Sequence, residues 1–152
     1  MLEESNLSGL DRERLVAPDA VEAGLPRLLV IDDDSLHRMV ICRAAAKAGY
    51  LPAGAGTYDE AAKLAREIAF DCITLDLSLG QHAGSEMLHH LSAIGCTAPI
   101  VVVSACDAAT CKETVKVAGM LNLDVWECIP KPVDLAMLRN FLARLKATRL
   151  AA

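Results

Sequence analysis

The sequence predicts a doubly wound α/β domain, in which a parallel sheet of five strands carries five helices on its two faces. Three observations lead there. From Arg27 onward, short apolar runs alternate with longer segments of helical composition. The runs are rich in Val, Ile and Leu and nearly continuous, as strands buried on both faces must be. Chemistry-bearing residues follow directly on the run ends, where open α/β sheets bind their ligands.

The elements follow in order. Residues 28–31 (Leu-Leu-Val-Ile) read as a buried parallel strand. Residues 35–49 form a first helix that ends at Gly49. Residues 51–55 make a weak second strand, and 58–69 a second helix with Leu64, Ala65 and Ile68 on one stripe. Residues 71–75 give the third strand and 85–94 the third helix. Residues 99–103 are a strongly β-branched fourth strand. Residues 107–121 are helical, 125–129 form a fifth strand, and 133–146 a last amphipathic helix. Residues 1–26 differ in character. They are charged and broken by Pro18, Gly24 and Pro26, and read as an N-terminal extension. It is either a mobile tail or a short helix capped near Ser8 and running to about Val16.

The 152 residues suit one domain, 27–152, plus this extension. Hydrophobic residues make up 53% and aromatic residues 3%, so the core must be aliphatic and Ala-rich. A net charge of −5 and a pI near 5.3 argue against nucleic acid and against an anionic membrane surface. No run approaches the ~20 apolar residues of a membrane span, and the acidic start, with Glu3 and Glu4, does not resemble a signal peptide. Cys42, Cys72, Cys96, Cys106, Cys111 and Cys128 form no C-x-x-C pair, and most lie in apolar runs. They read as small buried hydrophobes, reduced in a cytoplasmic protein.

The strand ends carry the chemistry. The first strand runs into Asp32-Asp33-Asp34, the third into Asp76, the fourth into Ser104 and the fifth into Lys131-Pro132. Singly, each has a plain structural explanation: Asp34 or Ser35 as a helix cap, Lys-Pro as a turn. Jointly they place acids, a hydroxyl and an amine along one sheet edge. Clustered carboxylates need a cation, and hard oxygen ligands suit Mg²⁺. A carboxylate can act as nucleophile and form an aspartyl phosphate. Phosphoryl transfer then requires mainly positioning and charge neutralisation, which Lys131 and Ser104 can supply.

These segments resemble the receiver domains of bacterial response regulators. Leu28-Leu-Val-Ile-Asp-Asp-Asp-Ser-Leu-His-Arg38 is similar to the family's opening acidic pair, with Arg38 in register when the pair is Asp32 and Asp33. Thr74-Leu-Asp76 through Gly84 resembles the phosphoacceptor segment. Val101-Val-Val-Ser104-Ala105 and Ile129-Pro-Lys131-Pro132 resemble the two remaining signatures. The resemblance covers nearly everything from Arg27 to Lys146. It implies a CheY-like fold with strand order 2-1-3-4-5 and a phosphoacceptor at Asp76. It implies Mg²⁺ held by Asp32, Asp33, Asp76 and the backbone carbonyl of Ser78. Ser104 and Lys131 would bind the phosphoryl oxygens, and the Lys131–Pro132 bond would be cis. A sensor histidine kinase would be the phosphoryl donor, and the chain would be a phosphoacceptor, not a turnover enzyme.

Three departures stand out. The loop after Asp76 has Leu79-Gly80 and Ala83-Gly84 where the family has Met-Pro and Asp-Gly. Cys128 replaces the family's switch aromatic. Trp126, two residues earlier, would share its face if the strand is regular, and so is a candidate substitute or partner-facing residue. Lys131 follows Ser104 by 27 positions, a longer spacing that resembles receivers of EAL-type phosphodiesterases. The chain is expected to be a stand-alone receiver. It would signal by docking, by onward transfer to a histidine phosphotransfer protein or by draining a kinase, and could form a homodimer through its fourth helix, fifth strand and fifth helix. Ser78 and Cys106 stand where the family tunes hydrolysis, and neither is a strong base, so slow autodephosphorylation is expected.

Two rivals come from other classes. Asp32-x-Asp34-Ser35, Ser104 and Lys131 also fit a haloacid-dehalogenase-type phosphatase with Asp32 as nucleophile, but that leaves Asp76 without a role. A degenerate receiver acting only by interaction is the other. Gly54-Ala-Gly56 lacks the third glycine of a dinucleotide loop, and His82, His89 and His90 read as solvated residues.

Overall fold

A computed structural model describes residues 24–79 and 82–151. Both readings of the N-terminal extension, a mobile tail or a short helix to about Val16, fall outside the described residues. The chain forms β1 (Arg27–Ile31), α1 (Ser35–Lys47), β2 (Leu51–Ala55), α2 (Tyr58–Glu67), β3 (Cys72–Leu75), β4 (Ser78–Leu79) and β5 (His82–Ala83). There follow α3 (Gly84–Ala93), β6 (Pro99–Ser104), α4 (Ala108–Met120), β7 (Asp124–Pro130) and α5 (Leu135–Ala151). The five long strands are parallel neighbours in the order β2-β1-β3-β6-β7. This is the expected 2-1-3-4-5 once the small antiparallel hairpin β4–β5, which the sequence did not suggest, is set aside.

Strand alternation divides the core into two layers. On one face Leu28, Val30, Val101, Val103 and Ile129 meet Ile41 and Ala45 of α1 and Leu138, Leu142 and Leu145 of α5. On the other, Leu29, Ile31, Ile73, Leu75, Ile100 and Val102 meet Ala61 of α2, Met87, Leu88 and Leu91 of α3 and Ala118 of α4. The layers are aliphatic, as the composition requires. Local chemistry sets the helix starts. Asp34 accepts from the Leu36 and His37 amides, Thr57 from Glu60 and Asp107 from Thr110. Gly84 is required by a close approach: a Cβ there would lie 2.6 Å from Leu77 Cδ2 and 2.8 Å from Leu77 Cα.

Two expectations fail at the sheet edge. Between Ile100 and Val101 the pairing skips a residue of β7, from Val125 to Glu127, so Trp126 sits in a bulge. The extra residue shifts the side-chain phase. Cys128 packs with Val125 against the α2–α3–α4 layer. Trp126 instead stacks edge-on against Phe141 of α5, which belongs to the opposite layer, and donates its ring N–H to Asp124 at 2.6 Å. Trp126 therefore does not share the face of Cys128 and does not stand in for the missing aromatic there. The cysteine expectation also needs correction. Cys42 and Cys72 are buried thiols and Cys96 and Cys106 are half-buried, but Cys111 of α4 and Cys128 of β7 form a disulfide. The two are 17 residues apart in sequence, and only the packing of α4 on β7 brings them together.

Candidate functional site

The C-terminal ends of β1, β3, β6 and β7 converge on one acidic pocket. β1 ends at Ile31, whose carbonyl accepts from the Asp76 amide at 2.9 Å, while the Asp32 amide donates to Ala55 at 3.0 Å. The ladder thus continues one residue beyond each strand and fixes both carboxylates by their backbones. Asp32 and Asp76 are buried, and Asp33 is exposed at the rim. Each offers a carboxylate oxygen within 4.8 Å of the others.

Lys131 crosses this pocket from the end of β7. Its ammonium lies 3.1 Å from Asp76 Oδ2 and 3.3 Å from Asp32 Oδ2. Its backbone N–H donates to Ser104 O at 3.1 Å, and the following bond to Pro132 is cis, as expected. Burial acts to lower the Lys131 pKa, but the Asp76 hydrogen bond and the charges of Asp76 and Asp32 outweigh it and hold it above the ordinary lysine value. Asp76 shows the converse balance. Burial lifts its carboxyl above the usual range, and the Ser78 amide and Lys131 only partly oppose it. Burial thus favours the neutral form of Asp76 despite its contact with Lys131.

Ser78 lies beside the pocket, its amide donating to Asp76 Oδ1 at 3.1 Å. Ser104 is buried at the end of β6; its hydroxyl donates to Cys106 Sγ at 3.2 Å. The sequence-derived residues Asp32, Asp33, Asp76, Ser78, Ser104 and Lys131 thus all lie along one edge. Cys128 and Trp126 lie further back on β7, away from this cluster, in the positions described above.

The structure adds His37, which sequence reasoning passed over, and gives Arg38, used there only for register, a contact. His37, in the first turn of α1, points back to the strand end and brings Nδ1 to 2.5 Å from Asp32 Oδ2. Its sequence signal was weak, since only the cap at Asp34 sets which face of the first turn looks inward. Arg38 donates to the Asp32 carbonyl at 2.7 Å. Its side chain runs over Gly54 and Gly56, where a Cβ would lie 3.1 and 2.8 Å from it. The Gly-Ala-Gly stretch is therefore a seat for Arg38.

The chemistry of the pocket fits a divalent cation. It offers three hard carboxylate donors in reach of one another, two of them buried.

The comparisons agree with this geometry. The family model for the response regulator receiver domain matches residues 28–143. Over 110 residues, 71% of this chain, it is 34% identical to a protein-glutamate methylesterase/protein-glutamine glutaminase 2 of Koribacter versatilis, but it spans only 29% of that protein. It is 32% identical over 80 residues to the chemotaxis protein CheY of Thermotoga maritima, 52% of this chain and 67% of that one. A Francisella response regulator receiver domain superposes with a TM-score of 0.71 at 22% identity, covering 82% of this chain and 98% of that one. A Burkholderia pseudomallei response regulator, solved with a phosphorylated aspartic acid, calcium ion and citrate, gives 0.65 at 27% identity, covering 83% and 71%. By the family match across most of its length, the chain belongs to the receiver domains of CheY-like response regulators.

Proposed function

We propose that the chain is the phosphoacceptor of a two-component phosphorelay, with Asp76 taking a phosphoryl group from the phosphohistidine of a sensor histidine kinase. The observation that carries this reading is the Lys131 ammonium bridging the buried carboxylates of Asp76 and Asp32 at one strand-end pocket. An Asp76 oxygen attacks phosphorus, the P–N bond to the donor histidine breaks, and the imidazole leaves. Lys131 turns from Asp76 to a phosphoryl oxygen, and Ser104 donates its hydroxyl to another. Asp32, Asp33, Asp76 and the Ser78 carbonyl would hold Mg²⁺, which supplies charge neutralisation when bound. Arg38 and His37 brace Asp32 from its backbone carbonyl and its carboxylate. The phosphorylated aspartic acid and calcium ion of the Burkholderia relative support the assignment.

The phosphatase alternative is disfavoured by the role of Asp34. That carboxylate caps α1, and the His37 and Leu36 amides hold it below the usual range, which suits a cap and not a general acid. The chain then acts by phosphorylation state and not by turnover of an external substrate. The α4–β7–α5 face exposes Val115, Met120, Trp126 and Met137, a surface for a target, a histidine phosphotransfer protein or a second copy. Among the described residues no helix is long and apolar enough to cross a membrane. A kinase donor of this kind would put the chain in the cytoplasm.

The test is intact mass after incubation with acetyl phosphate and Mg²⁺. One phosphoryl group is expected on the wild type and none on Asp76→Asn or without Mg²⁺. A phosphoryl group that stays in Asp76→Asn and vanishes in Asp32→Asn would restore the phosphatase. No labelling of any form would mark a pure interaction module. The decay of the same mass peak reads the expected slow autodephosphorylation, and complete loss within seconds would contradict it.

A further inference from the structure

The Cys111–Cys128 bond occupies an informative place. Cys111 sits in the first turn of α4, where its amide closes that turn on the Asp107 carbonyl at 3.0 Å. Cys128 lies on β7, in register with Val102 of β6. Their Cα atoms are 6.5 Å apart, within the span a disulfide bridges. Both residues are partly exposed, so small reagents reach them.

The rest of α4 is weakly anchored. Ala118, in its third turn, is its one buried residue, and the turn after the helix is held by Ser92 Oγ donating to Leu121 O at 2.9 Å. Ahead of Ala118 no other α4 residue is buried, and the disulfide cross-links the start of α4 to β7. Three residues, Ala105 to Asp107, separate that start from Ser104. The remaining thiols are poorer candidates for reaction. Burial pushes Cys42 up to about 11 and raises Cys96, and Cys72 is buried. Cys106 takes the Ser104 hydroxyl.

We propose that Cys111 and Cys128 form a reversible thiol–disulfide modification site that clamps the start of α4 to β7 under oxidising conditions and releases it on reduction. The oxidant class is a small-molecule disulfide such as oxidised glutathione. One protein thiolate attacks a glutathione sulfur, and one glutathione thiolate leaves. The second protein thiolate attacks the protein sulfur of the mixed disulfide and expels the other glutathione. Two cysteines are oxidised, one glutathione disulfide is reduced to two thiols, and the two protons pass to glutathione. Disulfides in a reducing compartment are mostly transient or redox-sensing, which fits such a site. The clamp does not require phosphorylation of Asp76.

The experiment equilibrates the full chain in glutathione buffers of graded ratio, blocks free thiols with N-ethylmaleimide, and maps peptides without reduction. An intramolecular peptide pair carrying Cys111 and Cys128 is expected in oxidised buffer and its loss in reduced buffer, in wild type and Asp76→Asn alike. Amide exchange over residues 108–117 should be roughly fivefold or more slower in the linked form. Cys111→Ser and Cys128→Ala should match reduced wild type in either buffer, and unchanged exchange in α1 shows that both variants are folded. Links to other cysteines, links between chains, a bond that reducing buffer leaves intact in the folded protein, or equal exchange in both states would overturn the proposal. Failure of acetyl phosphate labelling would leave these readouts unaffected, so the two readings fail separately.

Discussion

The β1–β3 centre of the sheet and its α4–β7 edge are built on different principles. At the centre, β1 is buried from Leu28 to Ile31 and β3 throughout, and α1 buries Ile41, Cys42, Ala44 and Ala45. Backbone hydrogen bonds run on past both strands to Asp32 and Asp76. At the edge, β7 buries only Ile129, carries a bulge at Trp126, and faces a helix with one buried residue. The centre is held by many apolar contacts and fixes the acids to within a hydrogen bond. At the edge the β7 backbone pairs with β6, but few side chains of β7 and α4 are buried, and a disulfide joins the two. Regions with few buried contacts open at low free-energy cost. The molecule therefore keeps its acids where the fold is hardest to deform, and Lys131 reaches them from the end of the edge that yields most easily.

The contrast can be tested first at the centre. Ile41→Ala removes a side chain 1% exposed between α1 and the sheet, and should cost about 2–5 kcal/mol in urea unfolding. A cost below ~1 kcal/mol would mean that this layer is no tighter than the edge.

A second test uses pH. Burial raises the Asp76 carboxyl above its ordinary 3.8, so the folded chain binds that proton more tightly than the unfolded chain does. Its stabilising contribution is complete below 3.8 and is lost as pH rises through the folded value. In metal-free buffer, Asp76→Asn should therefore gain on the wild type as pH rises from about 4 to 7, read as the difference in urea midpoints. A constant difference, or one of opposite slope, would show that Lys131 fully compensates the buried charge.

The smallest effect belongs to the edge. Val115→Ala on α4 removes a side chain 42% exposed and should change stability by less than about 0.5 kcal/mol. A larger loss would show α4 to be packed as firmly as α1.

The sequence by itself determined the order of the five long strands and their helices, because buried parallel strands must be continuous apolar runs and their helices must carry a stripe. It also determined the placement of Asp32, Asp76, Ser104 and Lys131, because residues directly after parallel strands share one edge whatever the details of packing. The cap role of Asp34 was legible for a similar reason, since it acts on amides two and three residues away. The tertiary structure alone decided the rest. The Cys111–Cys128 bond depends on the distance between a helix and a strand that no local pattern encodes. The bulge at Trp126 depends on how β7 pairs with β6, and one inserted residue moved that side chain to the opposite layer. The contact of His37 with Asp32 and the seat of Arg38 on Gly54 and Gly56 depend on the rotation of α1 against the sheet. Periodicity fixes which residues share an element's face, and only packing fixes which faces meet.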